Sequence, residues 1–294
     1  MIVVAGEALV DVIERPDGSV LAVPGGGPFN TARAIARLEL SVAWAGVLSS
    51  DGHGRVLEAA LAGDGVSLEL VQRTDLPTTR ALASLNDRGE ASYRFIVDQT
   101  SAPALDGDRL LAALPSDLSA VHVGTLGLVF EPIATALEAL VAGLGDDVLL
   151  MVDPNCRPSA IPDPVAYRAR MARILERADV VKVSTADEAF LGVDIGSPVV
   201  VVTDGGGPVR VLVGDRSHEV EVPPVPVVDS VGAGDTFGGA MLAWLVQAGI
   251  ARSGLANERD VLAAVRFAVR ASAIVCQRAG ADPPTLANLG GWAA

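Results

Sequence analysis

Short apolar runs alternate with helical stretches along most of this chain, and this alternation constrains the fold more than any other feature of the sequence. Six runs have the length and composition of buried parallel strands: Ile2 to Ala5, Val42 to Leu48, Ala120 to Gly124, Val148 to Asp153, Val180 to Ser184 and Val199 to Thr203. Helical spacing recurs elsewhere: Asn30 to Leu38, Gly54 to Ala62, Glu131 to Ala142, Pro164 to Ala178, Thr185 to Leu191 and Asp260 to Ala279. We therefore predict an α/β fold with a doubly wound, mostly parallel sheet, helices on both faces and ligands at the carboxyl ends of the strands.

Two stretches break the alternation, because each contains a turn signal between short apolar pieces. Asp87-Arg88-Gly89 lies within residues 79–97, and Pro16-Asp17-Gly18 lies within residues 12–23. We predict that each stretch is a hairpin. Together the hairpins form a small β lid inserted into one domain that spans residues 1–294.

The segment Asp229-Ser230-Val231-Gly232-Ala233-Gly234-Asp235-Thr236-Phe237 carries the most specific chemistry in the sequence. Gly232 and Gly234 allow backbone turns that a β-carbon would forbid, and an apolar helical pattern begins at Phe237. The turn therefore opens a helix whose first N–H groups lack internal partners, so they can hold an anion such as a departing γ-phosphate. Asp235 lies beside that anion, where we expect a general base for an attacking hydroxyl. The alternative is an aspartate that only caps the helix.

The composition limits what such a site can bind. A formal net charge of -14 opposes nucleic acid, and it also opposes ATP unless Mg²⁺ and local donors offset the phosphate charge.

The chain has no apolar run of the ~18 to 20 residues that a membrane helix needs, and its start lacks the basic residues of a signal peptide. These features predict a cytoplasmic protein with no membrane partner. Cys156 and Cys276 are too few for a disulfide framework or a zinc site, so we expect reduced thiols.

The single lysine of the chain, Lys182, excludes two other phosphate-binding designs. It follows Val181, so the Gly-Lys pair of a Walker A loop is absent. It is superficially similar to the β3 lysine of protein kinases, but neither H-R-D nor D-F-G follows it. A Rossmann dehydrogenase is also disfavoured, because Phe237 stands where the third glycine of G-x-G-x-x-G belongs.

The segment from Asp229 to Phe237 resembles the signature of the ribokinase-like, or PfkB, family of sugar kinases, and the resemblance extends along nearly the whole chain. It implies an anion hole at Gly232, Ala233 and Gly234, with Asp235 as the catalytic base. It also implies a site for a monovalent cation such as K⁺ at Asp229. In the family a β lid covers the sugar and often pairs with a second subunit, which implies a homodimer here.

Other motifs indicate where the sugar binds. Gly25-Gly26-Gly27-Pro28-Phe29-Asn30 resembles the family's G-G-x-x-x-N motif, and Asp153-Pro154-Asn155-Cys156-Arg157 resembles the D-P-N-x-R string of its fructokinase-like branch. The predicted substrate-binding residues are Asp11, Gly25, Gly26, Asn30, Phe95 and Arg157. Four of these residues have an ordinary alternative: Asp11 in a solvated loop, Asn30 as a helix start, Phe95 with Tyr93 in hairpin packing, and Arg157 paired with an acidic neighbour.

The motifs on the nucleotide side are weaker. Lys182, Ser184 and Asp187 lie where relatives often carry N-x-x-E, which implies that they serve the nucleotide and that Asp187 holds Mg²⁺ through water. Thr185-Ala186-Asp187-Glu188 also has the form of a capping box. The resemblance extends to a T-x-G turn and to a helix bordering adenine, which adds Thr203, Gly205, Val269 and Ser272. A simple β-turn is the alternative at Thr203, and a hairpin over residues 210–222 is predicted nearby.

The sequence thus predicts MgATP-dependent transfer of a γ-phosphoryl group to a sugar hydroxymethyl. Fructose is the first candidate, because of the resemblance carried by the segments from Gly25 to Asn30 and from Asp153 to Arg157. Ribose, 2-keto-3-deoxygluconate or a nucleoside are the alternatives, as is a sugar-binding regulator without turnover. The complete set from Gly232 to Asp235 disfavours the regulator, because a binding protein needs no base.

Overall fold

The computed structural model describes residues 1–14, 20–85, 91–193 and 195–293. Its strands, in chain order, are β1 (Ile2–Ala5), β2 (Leu9–Glu14), β3 (Val20–Gly25), β4 (Val42–Ala45), β5 (Val47–Ser49), β6 (Gln72–Thr74), β7 (Arg80–Leu85), β8 (Ala91–Ile96), β9 (Ala120–Gly124), β10 (Leu149–Asp153), β11 (Val180–Ser184), β12 (Val199–Thr203), β13 (Val209–Val213) and β14 (Arg216–Val220). Its α-helices are α1 (Gly27–Arg37), α2 (Gly52–Gly63), α3 (Gly107–Ala113), α4 (Ile133–Ala142), α5 (Pro164–Arg177), α6 (Thr185–Leu191), α7 (Ala233–Gln247), α8 (Glu258–Val275) and α9 (Leu286–Leu289).

The central sheet has eight strands in the order β14-β13-β12-β11-β10-β9-β1-β4. The six strands from β4 to β12 in this order are parallel, and the predicted hairpin β13-β14 extends the sheet in antiparallel fashion. Alternate residues enter two apolar cores: Ile2 and Val4 pack with α1, α2, α7 and α8, whereas Val3 and Ala5 pack with α3, α4, α5 and α6. The predicted doubly wound sheet with helices on both faces is confirmed.

A second sheet of four strands, in the order β3-β2-β7-β8, lies at the places where hairpins are predicted. β2 pairs antiparallel with β3, β7 pairs antiparallel with β8, and the two hairpins join through parallel pairing of β2 with β7. The predicted turns at Pro16-Asp17-Gly18 and Asp87-Arg88-Gly89 lie outside the described residues, as does the side chain of Tyr93. The division into one domain with two insertions stays a prediction.

The prediction of one strand from Val42 to Leu48 is wrong. The chain leaves the central sheet after β4, and β5 pairs with β6 in a separate two-stranded sheet. The change occurs at Gly46, where a β-carbon would lie 2.3 Å from the Trp44 ring and 2.5 Å from the Gly6 carbonyl oxygen. An unbroken apolar run cannot reveal that its pairing partner changes, so the break was not predicted.

Some helix ends also differ from the predicted ones. Helix α1 begins at Gly27 rather than Asn30, with Pro28 in its first turn, where the missing N–H costs nothing. Helix α8 ends at Val275 rather than Ala279.

In the described part of the chain, no helix combines the length and hydropathy needed to cross a membrane. Cys156 and Cys276 are free thiols, as predicted.

Candidate active site

A cavity of about 260 Å³ lies where β1, β9 and β10 end, against the N-terminus of α7. It brings together most of the predicted sugar and catalytic residues, which line it: Asp11, Gly26, Asn30, Phe95, Arg157, Gly232, Gly234 and Asp235. Gly25 lies directly behind this wall, because a β-carbon there would lie 2.4 Å from Oδ2 of Asp11. Asn30 and Asp235, which are 205 positions apart in the chain, therefore share one cavity, here called the sugar cavity after the predicted residues that line it.

Asp235 lines the sugar cavity from the first turn of α7. Asn30 Nδ2 donates a hydrogen bond of 2.8 Å to Asp235 Oδ2, and Asn30 Oδ1 is a buried acceptor without a partner in the described residues. Burial raises the pKa of Asp235 to about 6, although the bond from Asn30 lowers it. A carboxylate with this pKa is ionised at neutral pH and is a better proton acceptor than an exposed aspartate.

The glycine turn has the geometry of an anion site. Gly232 adopts φ 76°, a left-handed conformation that favours glycine, and it precedes the first residue of α7. The Ala233 N–H donates to the Ser230 carbonyl over 3.2 Å, so it already has a partner. Within the described residues no acceptor is found for the N–H groups of Gly232, Gly234 and Asp235. These N–H groups, together with the helix dipole, favour a negative charge at this point.

Glu7, which follows β1, is a component of the site that the sequence analysis did not identify. It is 1% exposed, and its two oxygens accept bonds from the N–H groups of Gly27 (3.2 Å) and Gly127 (2.7 Å). It thereby joins the start of α1, which carries Asn30, to the turn after β9. Burial raises the pKa of Glu7 to about 8, against the bonds from backbone N–H groups. A charged residue two positions after an apolar strand was the only signal in the sequence.

Two residues with left-handed backbone also line the cavity, and neither was predicted. Thr125 has φ 56° and Asn155 has φ 39°, and Asn155 Nδ2 donates to Thr125 Oγ1 over 3.4 Å. Such conformations are costly for residues with side chains and cluster at functional sites.

Arg157 and Phe95 complete the polar and apolar walls of the sugar cavity. Arg157 is exposed and donates to the Asn155 and Cys156 carbonyls, each over 3.1 Å; no ion pair joins it to a carboxylate among the described residues. Phe95 packs with Leu9 and Leu126 while lining the cavity, so the two interpretations of Phe95 are compatible.

Of the two other predicted aspartates, Asp11 lines the sugar cavity, whereas Asp229 lines neither cavity. Burial raises the pKa of Asp11 to about 6 where it lines the sugar cavity. Asp229 accepts bonds from the N–H groups of Val231 (3.0 Å) and Gly280 (2.9 Å), so it holds two loops together. Its predicted binding of a monovalent cation stays a prediction.

A second cavity of about 460 Å³ meets the first at Ser230 and Gly234. Four predicted nucleotide residues line it, together with apolar side chains from the segment after β14: Thr203, Gly205, Val269 and Ser272. Ser272 Oγ donates to the Ala233 carbonyl over 3.0 Å and so holds the first turn of α7. The glycine turn therefore lies between the two cavities.

Lys182, Ser184 and Asp187 line neither cavity. Ser184 and Asp187 form the capping box of α6, so the box predicted from Thr185 to Glu188 is wrong by one position. Asp187 also accepts a bond of 2.7 Å from the Cys156 N–H, and both its oxygens are thus engaged. The roles of Lys182, Ser184 and Asp187 at the nucleotide, and of Asp187 toward Mg²⁺, stay predictions.

The residues present fit a metal that arrives with the nucleotide. No group of three or more His, Cys, Asp or Glu side chains able to hold a metal occurs in the described ranges. Mg²⁺ commonly binds through one or two carboxylates together with substrate phosphates and water, so a dedicated protein cage is not required.

A turn with free N–H groups between a polar cavity and a largely apolar one fits a small-molecule kinase, because phosphoryl transfer depends on positioning and charge stabilisation. The model of the pfkB family of carbohydrate kinases matches residues 1–288. The chain belongs to this family, and the resemblance seen in the sequence is confirmed.

Individual relatives agree with this assignment. Fructokinase-1 of Zea mays is 32% identical over 98% of this chain and 96% of its own length. A fructokinase of Rhizobium leguminosarum bv. trifolii is 32% identical over 83% of this chain and 79% of its own length.

Solved structures agree as well. A fructokinase from Xylella fastidiosa with bound ATP has a TM-score of 0.90 at 28% identity, covering 98% of this chain and 96% of that one. A fructokinase from Vibrio cholerae O395 with fructose, ADP and a calcium ion has a TM-score of 0.86 at 28% identity, covering 100% and 98%. The predicted ribokinase-like fold is thereby confirmed.

Proposed function

We propose that this protein is an ATP-dependent fructokinase that transfers the γ-phosphoryl group of MgATP to a hydroxymethyl oxygen of fructose. The observation that carries the proposal is the position of the Gly232–Gly234 turn, whose free N–H groups lie where the two cavities meet. Fructose is preferred because the curated relatives and the solved structures above are fructokinases.

In this proposal the sugar occupies the cavity of Asp11, Asn30 and Arg157, and the nucleotide occupies the cavity of Thr203 and Ser272. The free Oδ1 of Asn30 accepts a hydrogen bond from a sugar hydroxyl, and its Nδ2 keeps Asp235 in place by donating to it.

Asp235 accepts the proton of the attacking hydroxyl as the oxygen bonds to the γ-phosphorus and the bond to the ADP oxygen breaks. The N–H groups of Gly232, Gly234 and Asp235 stabilise the charge on the transferring group. Mg²⁺, when bound, would neutralise negative charge on the phosphates, and Asp187 is the residue predicted to hold it through water.

The main experiment compares the parent with Asp235→Asn on a panel of fructose, ribose, 2-keto-3-deoxygluconate and nucleosides, with MgATP. We expect fructose to be the preferred substrate and the variant to lose at least ~10²-fold in kcat, because the base is removed. ADP release measures turnover, and circular dichroism confirms the fold.

Asp260→Asn is the matched control. Asp260 stands three residues after the N-cap of α8, the position that Asp235 occupies in α7, but it lines neither cavity. Its kcat should equal that of the parent. Unchanged turnover in Asp235→Asn would remove Asp235 from its role, and sugar binding without turnover in the parent would favour a regulator.

Two further properties belong to the same proposal. A homodimer through the second sheet is supported by Leu21, an exposed apolar residue on the edge strand β3. A cytoplasmic location is supported by the use of ATP and by the two free cysteines, Cys156 and Cys276.

A further inference from the structure

Lys182, the only lysine in the sequence, is buried beneath the glycine turn. It lies in β11 and is 4% exposed; its Nζ donates to Asp153 Oδ2 over 2.9 Å, and Asp153 is itself 3% exposed. A buried ion pair in this environment is costly to desolvate, so its presence next to a catalytic turn calls for a reason beyond stability.

The ammonium lies against Gly234. A β-carbon built on Gly234 would lie 2.9 Å from Lys182 Nζ. Unlike Gly232, Gly234 lies inside α7 and does not have a positive φ, so its backbone does not require glycine. The glycine at position 234 therefore makes room for the ammonium, which can approach the turn where a side chain would otherwise stand.

The size of the cation is important at this position. Of the 22 lysine and arginine residues in the chain, only Lys182 is lysine. A guanidinium is planar and larger than an ammonium, which is a compact point charge. The space beneath Gly234 suits the smaller group.

The titratable groups around Lys182 come from strands β9 and β10 and from helices α6 and α7. Asp153, Asp187 and Asp235 are its acidic neighbours, and Asp187 is neutralised in part by the N–H groups of Cys156 and Ser184. His122 on β9 is also close; burial and then Lys182 lower its pKa to about 3, so it adds no positive charge. Lys182 is thus the buried cation of this group.

We propose that Lys182 is a positioning residue for phosphoryl transfer: Asp153 holds its ammonium against Gly234, so that a fixed positive charge supports the anion-binding turn and Asp235. The inference rests on the proposed function. In this role Lys182 lies beneath the turn and acts through Gly234 and Asp235. The sequence analysis predicted instead that Lys182 binds the nucleotide directly.

The first test is Lys182→Met, which removes the charge and keeps an unbranched side chain. We expect kcat with fructose and MgATP to fall by ~10- to 100-fold, below the ~10²–10³ of a lost direct donor. The KM for each substrate should change by less than about threefold, because Lys182 lines neither cavity. A change in KM without a fall in kcat would overturn the inference.

The double variant Asp153→Asn with Lys182→Met separates charge from folding. Lys182→Met alone leaves Asp153 buried without its partner, which destabilises the fold. Removal of both charges should restore the melting temperature toward that of the parent, while kcat stays at least ~10-fold low because the cation is still absent. Recovery of the parental kcat would show that Lys182 only neutralises Asp153, and the proposal would fall.

Arg177→Met is the control for a lost partner of a buried carboxylate. Arg177 is one of two arginines, with Arg252, that pair with Asp179, which is fully buried just before the start of β11, the strand whose middle residue is Lys182. This variant should lower the melting temperature and leave kcat unchanged.

Binding of ADP, Mg²⁺ and aluminium fluoride tests the charge without turnover. We expect the double variant to bind this planar mimic of the transferring group at least ~10-fold more weakly than the parent, with ADP affinity within about threefold. Equal affinity for the mimic would overturn the inference. A parent that phosphorylates no sugar would refute the proposed function, whereas this binding comparison would still decide the role of Lys182.

Discussion

At the scale of single residues, the contact between Asn30 and Asp235 sets the properties of the proposed base. The bond of 2.8 Å from Asn30 Nδ2 lowers the pKa of Asp235, which burial has raised to about 6. Position and proton affinity of the base therefore depend on the same amide group.

Asn30→Ala should shift the acidic limb of the kcat profile to higher pH. The base must be ionised, so parental activity falls as pH decreases through about 6. Without the bond the pKa of Asp235 rises, and the variant loses activity at a higher pH than the parent. Initial rates at saturating sugar and MgATP between pH 5 and 9 measure the shift.

Asn257→Ala is the control for this profile. Asn257 Nδ2 donates to Asp260 Oδ2 over 2.7 Å at the start of α8, the same kind of contact away from the cavities. Its profile should overlay that of the parent. An unshifted limb in Asn30→Ala would contradict the proposed control of Asp235.

At the scale of elements, the second sheet supplies part of the sugar cavity through Asp11 on β2 and Phe95 on β8. The hydrophobic alternation and turn signals predicted its hairpins, but not the parallel pairing of β2 with β7 that joins them. That pairing links segments about 70 residues apart, and local patterns carry no information on such partners.

Leu21→Arg tests whether the edge strand β3 forms the proposed homodimer. The parent should behave as a dimer in size-exclusion chromatography with light scattering, and the variant as a monomer, because the charge is buried at the interface. Val165→Arg, on an exposed apolar residue of α5, should remain dimeric. A monomeric parent would refute the dimer.

At the scale of the whole molecule, buried carboxyls near the site couple stability to pH. The pKa of Glu7 is raised from 4.5 to about 8 on folding, so between these values the folded state holds a proton that the unfolded state has lost. The free energy of unfolding therefore decreases as pH rises through this range.

Urea unfolding should consequently give a lower stability at pH 8 than at pH 6, by at least about 1 kcal/mol. Glu7→Gln should flatten this dependence, whereas Glu58→Gln should keep it, because the Arg73 partner of Glu58 lowers the pKa of that carboxyl away from this range. Equal slopes in the parent and in Glu7→Gln would contradict the assignment.

The sequence by itself determined the fold class and the glycine turn that opens α7, because strand periodicity, helix starts and glycine conformations are local properties. Only the tertiary structure decided which groups meet: Asn30 with Asp235, Glu7 with Gly27 and Gly127, and Lys182 with Gly234. These contacts follow from the order of the strands in the sheet, since parallel strands bring distant chain segments to one edge of the sheet.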